Sequence, residues 1–356
     1  MQDTLIAQYK KYTKRRLFFI LAVFIVLIIV VMIALISGSA DIGLKDLWDI
    51  ARGKSSAFAF QIVLNIRMPR IVGGILAGTA LAVSGAVIQS LLRNPLASPF
   101  TLGISGAAAF GAAFAVIILG AGSSYSSSND MININNPALV TTSAFVWSLI
   151  SVAVILALSK FRGATPEIII LSGIIISSLF GAGISAMQYF ADSVQLASII
   201  FWTFGDLGRG LWRDSLILAI VLVPLLVYFF RQRWNYKSLQ SGDEHARSLG
   251  VNVTRVRLSG MVAASLATAI VVSFYGIIAF IGLVVPHIVR RIIGDDEHFL
   301  IPASAIFGGM FLLLSDTLAR TIIAPVILPV GILTSFIGAP LFLFLLVKSM
   351  GKGYWK

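Results

Sequence analysis

The sequence predicts an all-α, polytopic transmembrane helical bundle of about ten spans. Three observations carry that prediction. Hydrophobic residues make up 58% of the 356 residues and charged residues only 12%, where a soluble domain carries about 25% charged. Apolar runs near the length that crosses a hydrocarbon core about 30 Å thick recur along the whole chain. The basic residues fall between those runs, unequally on alternate sides. A mean hydropathy of +0.95 agrees. The composition excludes a disordered chain, and the absence of cysteine excludes a disulfide scaffold, a thiolate metal site and a cysteine nucleophile. No polar interval approaches the ~40 residues below which a separate domain needs extra staples, so residues 1–356 read as a single transmembrane domain.

The first span is 17–36, apolar and uncharged, behind a basic cytoplasmic tail (1–16) holding Lys10, Lys11, Lys14, Arg15 and Arg16. Gly38-Ser39-Ala40 could end a signal peptide, but a signal's apolar core is roughly 7–15 residues and this run is longer. Further spans are expected at 71–92, 99–120, 138–159, 167–190, 214–230, 258–278, 279–293, 299–319 and 330–347. The pair 258–278 and 279–293 is split at Tyr275-Gly276, because one straight helix would be too long. The second member contains Pro286 and is expected to kink or enter at a slant. With the N-terminus inside, 19 of the 27 Lys and Arg lie on the cytoplasmic side, so both termini are expected in the cytoplasm. The outer loop 121–137 is polar, has no Lys or Arg, and reads as a flexible surface loop. The cytoplasmic loop 231–257 is long, charged and patterned.

The net charge of +12 reads as this topology signal, since no stretch interleaves aromatics with a long basic patch for nucleic acid. Gly53-Lys54-Ser55 ends like a phosphate-binding loop but has Trp48 where the motif needs glycine. His245, His287 and His298 have no partner at metal-ligand spacing, and Gly103-Ile104-Ser105-Gly106 fails the hydrolase elbow. In the span after Pro69, Gly74, Gly78, Ala82 and Gly85 form a smooth stripe for close helix packing. Pro69 is expected at or just before that span's first turn.

Arg67 and Arg70 lie at the outer mouth of the same span. They are either interfacial anchors or a docking point for carboxylates on a partner, which the planar guanidinium fork suits. Arg320 ends another span, with Asp316 one turn earlier as a helical partner. Arg93-Asn94-Pro95 through Pro99 reads as a tight cytoplasmic turn, and Thr165-Pro166-Glu167 as a helix start. In 241–254, Asp243 can cap a short helix, Gly250 can close it, and Ala246, Leu249 and Val253 give a small apolar face. That helix either docks in another protein's groove or is a solvated loop.

Seven motifs now stand in order: Arg-Met-Pro-Arg (67–70), Gly85 through Gln89, Arg-Asn-Pro-Leu-Ala (93–97), Leu-Gly-Ile-Ser-Gly-Ala (102–107), the Gly-Asp-Glu run (242–251), Gly-Leu-Val-Val-Pro-His (282–287) and Gly-Ala-Pro-Leu-Phe (338–342). Together they resemble the FecCD-type permeases of ABC importers, which take up iron–siderophores, haem and vitamin B12; the likeness runs from about residue 17 to 350. The resemblance implies the type II ABC importer permease fold in the cell membrane. It implies a second permease subunit, identical or homologous, a cytoplasmic ABC ATPase dimer and an extracytoplasmic substrate-binding protein, with no catalytic residue, cofactor or nucleotide site in this chain.

By the same resemblance, Gly242, Asp243, Glu244, Ala246, Ser248, Leu249, Gly250 and Val251 couple to the ATPase. Arg67, Arg70 and Arg320 dock the binding protein, and Gly163, Ala164 and Thr165 lie near the cytoplasmic gate. The cargo implied is a metal chelate, an Fe(III)–siderophore in the first place, with haem or cobalamin as alternatives. An ion-coupled carrier is the rival reading; it would need intramembrane acids, for which only Asp316 and Glu167 come near the bilayer.

Overall fold

The computed structural model describes residues 2–38, 40, 42–121, 136–162 and 165–350. The outer loop expected at 121–137 falls almost entirely outside them. Among the described residues the structure is helical, without a strand.

Helix α1 (Gln2–Ile36) begins inside the basic segment expected as a tail, so that segment and the first span are one helix. Arg16 is buried: its Nε donates to the Ile293 carbonyl at 2.8 Å and its Nη1 pairs with Asp296 at 2.5 Å. Two short helices follow, α2 (Leu44–Ala51) and α3 (Ala57–Gln61), then a π-helical segment, Ile62–Arg67, that runs without a break into α4 (Met68–Leu92). Pro69 therefore sits inside a longer helical run, not at its start. The wider π register, in which the Met68 N–H reaches back to the Val63 carbonyl, absorbs the ring that would clash in a regular helix.

Arg93 ends α4 in the left-handed conformation, at φ 48°. After a 3-10 turn at Pro99–Leu102, α5 (Ile104–Ile117) runs antiparallel to α6 (Pro137–Arg162). Serines register the pair: Ser143 Oγ donates to the Gly111 carbonyl at 2.6 Å, Ser148 to Ile104 at 3.4 Å and Ser151 to Leu102 at 3.4 Å. Helix α7 (Pro166–Phe190) starts where Thr165 accepts the Ile168 N–H at 3.5 Å. Next comes a helix not expected from hydropathy, α8 (Ser193–Thr203), held by a reciprocal cap between Asp192 and Gln195. Then follow α9 (Trp212–Gln240), α10 (Asp243–Ser248), α11 (Val253–Tyr275), α12 (Ile281–Ile293), α13 (Glu297–Thr321) and α14 (Val330–Met350). The break at Tyr275-Gly276 falls where expected, with Gly276 at φ 77°.

Seven helices among the described residues are long and apolar enough to cross a membrane, against the ten expected. The stretches 99–120 and 279–293 supply helices of 14 and 13 residues, about 20 Å at 1.5 Å per residue. The turns at Pro99–Leu102 and 276–280 use apolar residues that hydropathy alone counts as helix. The described apolar part of α14, Val330–Leu345, is also short.

Helix α4 stands at the centre. In its most apolar stretch 78% of residues are buried, against 22% in those of α1, α7 and α9. The small-residue stripe explains how. A Cβ at Gly78 would overlap the Gly308 carbonyl of α13, and one at Gly85 the Gly282 carbonyl of α12. Backbone thus meets backbone on two sides of α4. Gly78→Val is accordingly expected to destabilise the protein by about 1–3 kcal/mol or more through overpacking, read as a lower thermal midpoint of the purified protein in detergent.

Candidate functional site

The residues singled out by sequence gather at opposite ends of α4. At one end Asp316 is fully buried on α13 and lies between two arginines. Arg70 Nε donates to its Oδ1 and Oδ2 at 3.1 and 2.9 Å, and Nη2 to Oδ1 at 2.8 Å. Arg320 Nε, one turn along α13, is 3.2 Å from Oδ2. The same Arg70 Nη2 reaches Asp206 at 3.1 Å, before α9. The helical spacing of Asp316 and Arg320 announces their pairing. No spacing announces Arg70, which is 246 residues from Asp316.

Arg67 and the rest of Arg320 serve the end of α1. Arg67 donates to the carbonyls of Leu35, Ile36 (2.9 Å) and Ala40 (2.6 Å). Arg320 donates to those of Ser37 (3.1 Å) and Ala34 (3.5 Å). These include acceptors that the last turn of a helix leaves without an internal partner. All three arginines are buried. They line a cleft of about 190 Å³ with Gly38, Ala40, Ile62, Ile66, Ala324, Pro325 and Ile327. Arg70 and Arg320 face the two carboxylates of Asp206 and Asp316, and Arg67, bonded only to backbone carbonyls, leaves the cluster positive. Nearby, Arg209 donates to the Trp202 carbonyl at 3.2 Å and to that of Phe201, closing α8. Burial holds its guanidinium below the ordinary value, against the pull of Asp206.

At the other end lies α10. Gly242, at φ 114°, occupies the cap position expected for Asp243. The Asp243 carboxylate turns inward and takes both Nη atoms of Arg257 at 3.1 and 2.8 Å, with Arg93 at 3.5 Å. The Arg257 hydrogen bonds, with the charges of Arg257, Arg93 and Arg247, hold Asp243 below the usual carboxylate range despite some burial. The apolar face also divides. Ala246 and Val253 are buried in the core, whereas Leu249 is 60% exposed. The outward side of α10 and its following turn is formed by Glu244, His245, Arg247, Ser248, Leu249 and Gly250. Gly250 closes the turn at φ 81°, as expected, and the Val251 N–H bonds the Ala246 carbonyl at 3.0 Å. Of the gate residues, Thr165 caps α7; Gly163 and Ala164 lie outside the described residues.

Beside α10 sits a group that hydropathy places outside any span. Glu297, in the first turn of α13, is 1% exposed. It accepts from Ser90 Oγ at 2.5 Å and Gln240 Nε2 at 2.7 Å, with Arg290 Nη2 at 3.9 Å. The four side chains come from four helices, and no local pattern joins them.

An apolar bundle with several helices long enough to cross a membrane defines a multi-pass membrane protein. The FecCD transport family profile matches residues 26–348, and the chain belongs to that family. It is 52% identical over 341 residues to an ABC transporter permease protein of Methanocaldococcus jannaschii, spanning 96% of this chain and 97% of the relative. It is 35% identical over 328 residues to the hemin transport system permease of Yersinia pestis, spanning 89% and 93%. A solved metal-chelate type ABC transporter in an inward-facing conformation superposes with a TM-score of 0.81 at 27% identity, covering 92% of this chain and 98% of that one. The chain therefore has the type II ABC importer permease fold and is a transport subunit, not an enzyme.

Removing Arg70 leaves Asp316 buried with half its pairing. Arg70→Ala is expected to cost about 3–5 kcal/mol, as breaking a buried ion pair does. Arg70→Ala with Asp316→Ala is expected to regain part of that loss. Thermal unfolding of both variants in detergent measures the difference.

Proposed function

We propose that this chain is the membrane permease of an ATP-driven importer for a metal chelate. Two such subunits, identical or homologous, flank a central path and sit on a pair of cytoplasmic ATPases. A loaded extracytoplasmic binding protein delivers the cargo. Family membership and the likeness to a metal-chelate type ABC transporter support this assembly. The short α5, α12 and α14 complete ten crossings in this reading, the antiparallel run of α5 against α6 being one support. The excess of Lys and Arg on alternate segments then puts both termini and α10 in the cytoplasm.

The observation that carries the mechanism is the two-sidedness of α10. Ala246 locks one side into the core while Leu249 and its neighbours stand out in a fixed geometry. A short, rigidly seated and exposed helix is suited to fill a groove on an ATPase. The segment 241–254 thus acts as the coupling element, and residues 163–165 belong to the cytoplasmic gate. ATP-driven closure of the ATPases switches which side of the path is open.

At the outer face, the cleft floored by Arg67, Arg70 and Arg320 receives carboxylates of the binding protein. Its positive excess supports this, as does Asp206, which is 31% exposed and is the partner of Arg70 most open to exchange. Asp316, the acid an ion-coupled carrier would draw on, is held between two arginines, which favours ATP as the energy source. For the cargo we favour haem or cobalamin over an Fe(III)–siderophore, on the likeness to permeases named for hemin and vitamin B12 transport.

In proteoliposomes with the cognate ATPase and binding protein, Leu249→Asp is expected to lower uptake at least about tenfold, the effect of losing ~1.4 kcal/mol of coupling. Its exposed position predicts an unchanged thermal midpoint. Uptake at the unmutated rate would remove α10 from coupling. In the same vesicles, excess unlabelled haem or cobalamin is expected to compete with the cargo; competition by ferric siderophores alone would return the cargo to that class.

A further inference from the structure

The last turn of α4 holds every element around α10. Gln89 Oε1 accepts from Arg290 Nη1 of α12 at 2.8 Å, and Gln89 Nε2 donates to the Leu283 carbonyl of α12 at 3.3 Å. Ser90 shares the Glu297 carboxylate of α13 with Gln240 of α9. The Leu91 carbonyl accepts from Arg257 Nε of α11 at 3.1 Å, and the same guanidinium grips Asp243 of α10. Arg93 reaches Asp243 as well.

Two of these tethers straddle the joint between α9 and α10. Gln240 is fixed on one side of Ser241-Gly242 and Asp243 on the other. A helix of six residues on a glycine in an open conformation has little stiffness of its own. Besides the buried Ala246, the Asp243 pairs are what hold it against turning on Gly242. With the α9 side of the joint held at Glu297, α10 cannot turn about it without breaking the Asp243 ion pairs with Arg257 and Arg93. A displacement of α10 must therefore pass into residues 89–93. From there it enters a helix that meets two neighbours backbone to backbone and holds Arg70 at its far end.

We propose that α4 is the rod that carries the motion of α10 across the membrane, with Asp243 as the positioning residue that clamps α10 to it and Glu297 as the one that fixes the adjoining end of α9. The proposal rests on the reading of α10 as the ATPase contact. It assigns Asp243 an inward task, distinct from the contact surface formed by its exposed neighbours.

The chain has no cysteine, so paired spin labels can be placed without background. His245→Cys lies on α10 and Leu96→Cys in the tight turn bonded to the end of α4, both exposed. In the full complex with ATPase and binding protein, the distance between these labels is expected to change by less than about 2 Å between nucleotide-free and ATP-bound states. In Gln240→Ala with Asp243→Asn, the distance distribution is expected to broaden, and uptake per ATP hydrolysed to fall about fivefold or more. A shift of about one helical turn, ~5 Å, in the otherwise unmutated complex would overturn the clamp. So would an unchanged uptake per ATP in the double variant. A label at position 245 that stays mobile when the ATPase binds would overturn the reading of α10 itself. A label that the ATPase immobilises but that moves relative to position 96 would overturn the clamp alone.

Discussion

Helix α4 can occupy the middle of this bundle only because its neighbours' backbones come within contact of its own. In a lipid-exposed protein the hydrophobic effect does little to hold one helix against another, so packing must come from close approach. Gly78 against Gly308 and Gly85 against Gly282 supply it. Ala82 keeps the stripe between them smooth. Once α4 is enclosed, its two ends become the places where polar side chains from distant segments converge.

The two ends are solved differently. At the arginine end a single fully buried carboxylate, Asp316, holds the guanidinium groups of Arg70 and Arg320, while Arg320 and Arg67 close the final turn of α1. The arrangement is a structural keystone first, and its positive excess faces a cleft. At the α10 end the roles are spread over Asp243 and Glu297, each sharing its oxygens among groups from separate helices. A carboxylate buried alone would be costly; shared donors offset that cost and at the same time fix the helices to one another. Arg70 and Asp243 are each held by the fold in a preset geometry.

Much of this was legible in the residues. Long apolar runs mark α1, α6, α7 and α13, Tyr275-Gly276 marks the break between α11 and α12, and the Asp316–Arg320 pair follows from helical spacing. Thr165 and Gly250 were placed by their local chemistry. Other features were not. Hydropathy cannot tell an apolar residue in a helix from one in a turn, so 99–120 and 279–293 were read as longer helices than α5 and α12. It also passed over α8, although Asp192 and Gln195 carry a capping pattern that could have revealed it. Asp243 was placed at the cap because its type suits one; Arg257, folded back against it from α11, takes the carboxylate instead.

Local chemistry is enough for whatever is set within one or two helical turns: the membrane class, most spans, the small-residue stripe and the short helix after Gly242. The ordered motifs also fix the family. Which polar groups face one another is visible in the folded chain alone, because Arg70 and Asp316, or Ser90 and Glu297, are brought together by chain crossings that leave no periodic trace. The folded chain also decides that Ala246 points inward and Leu249 outward. On a helix of six residues, both faces look alike until a neighbour covers one of them.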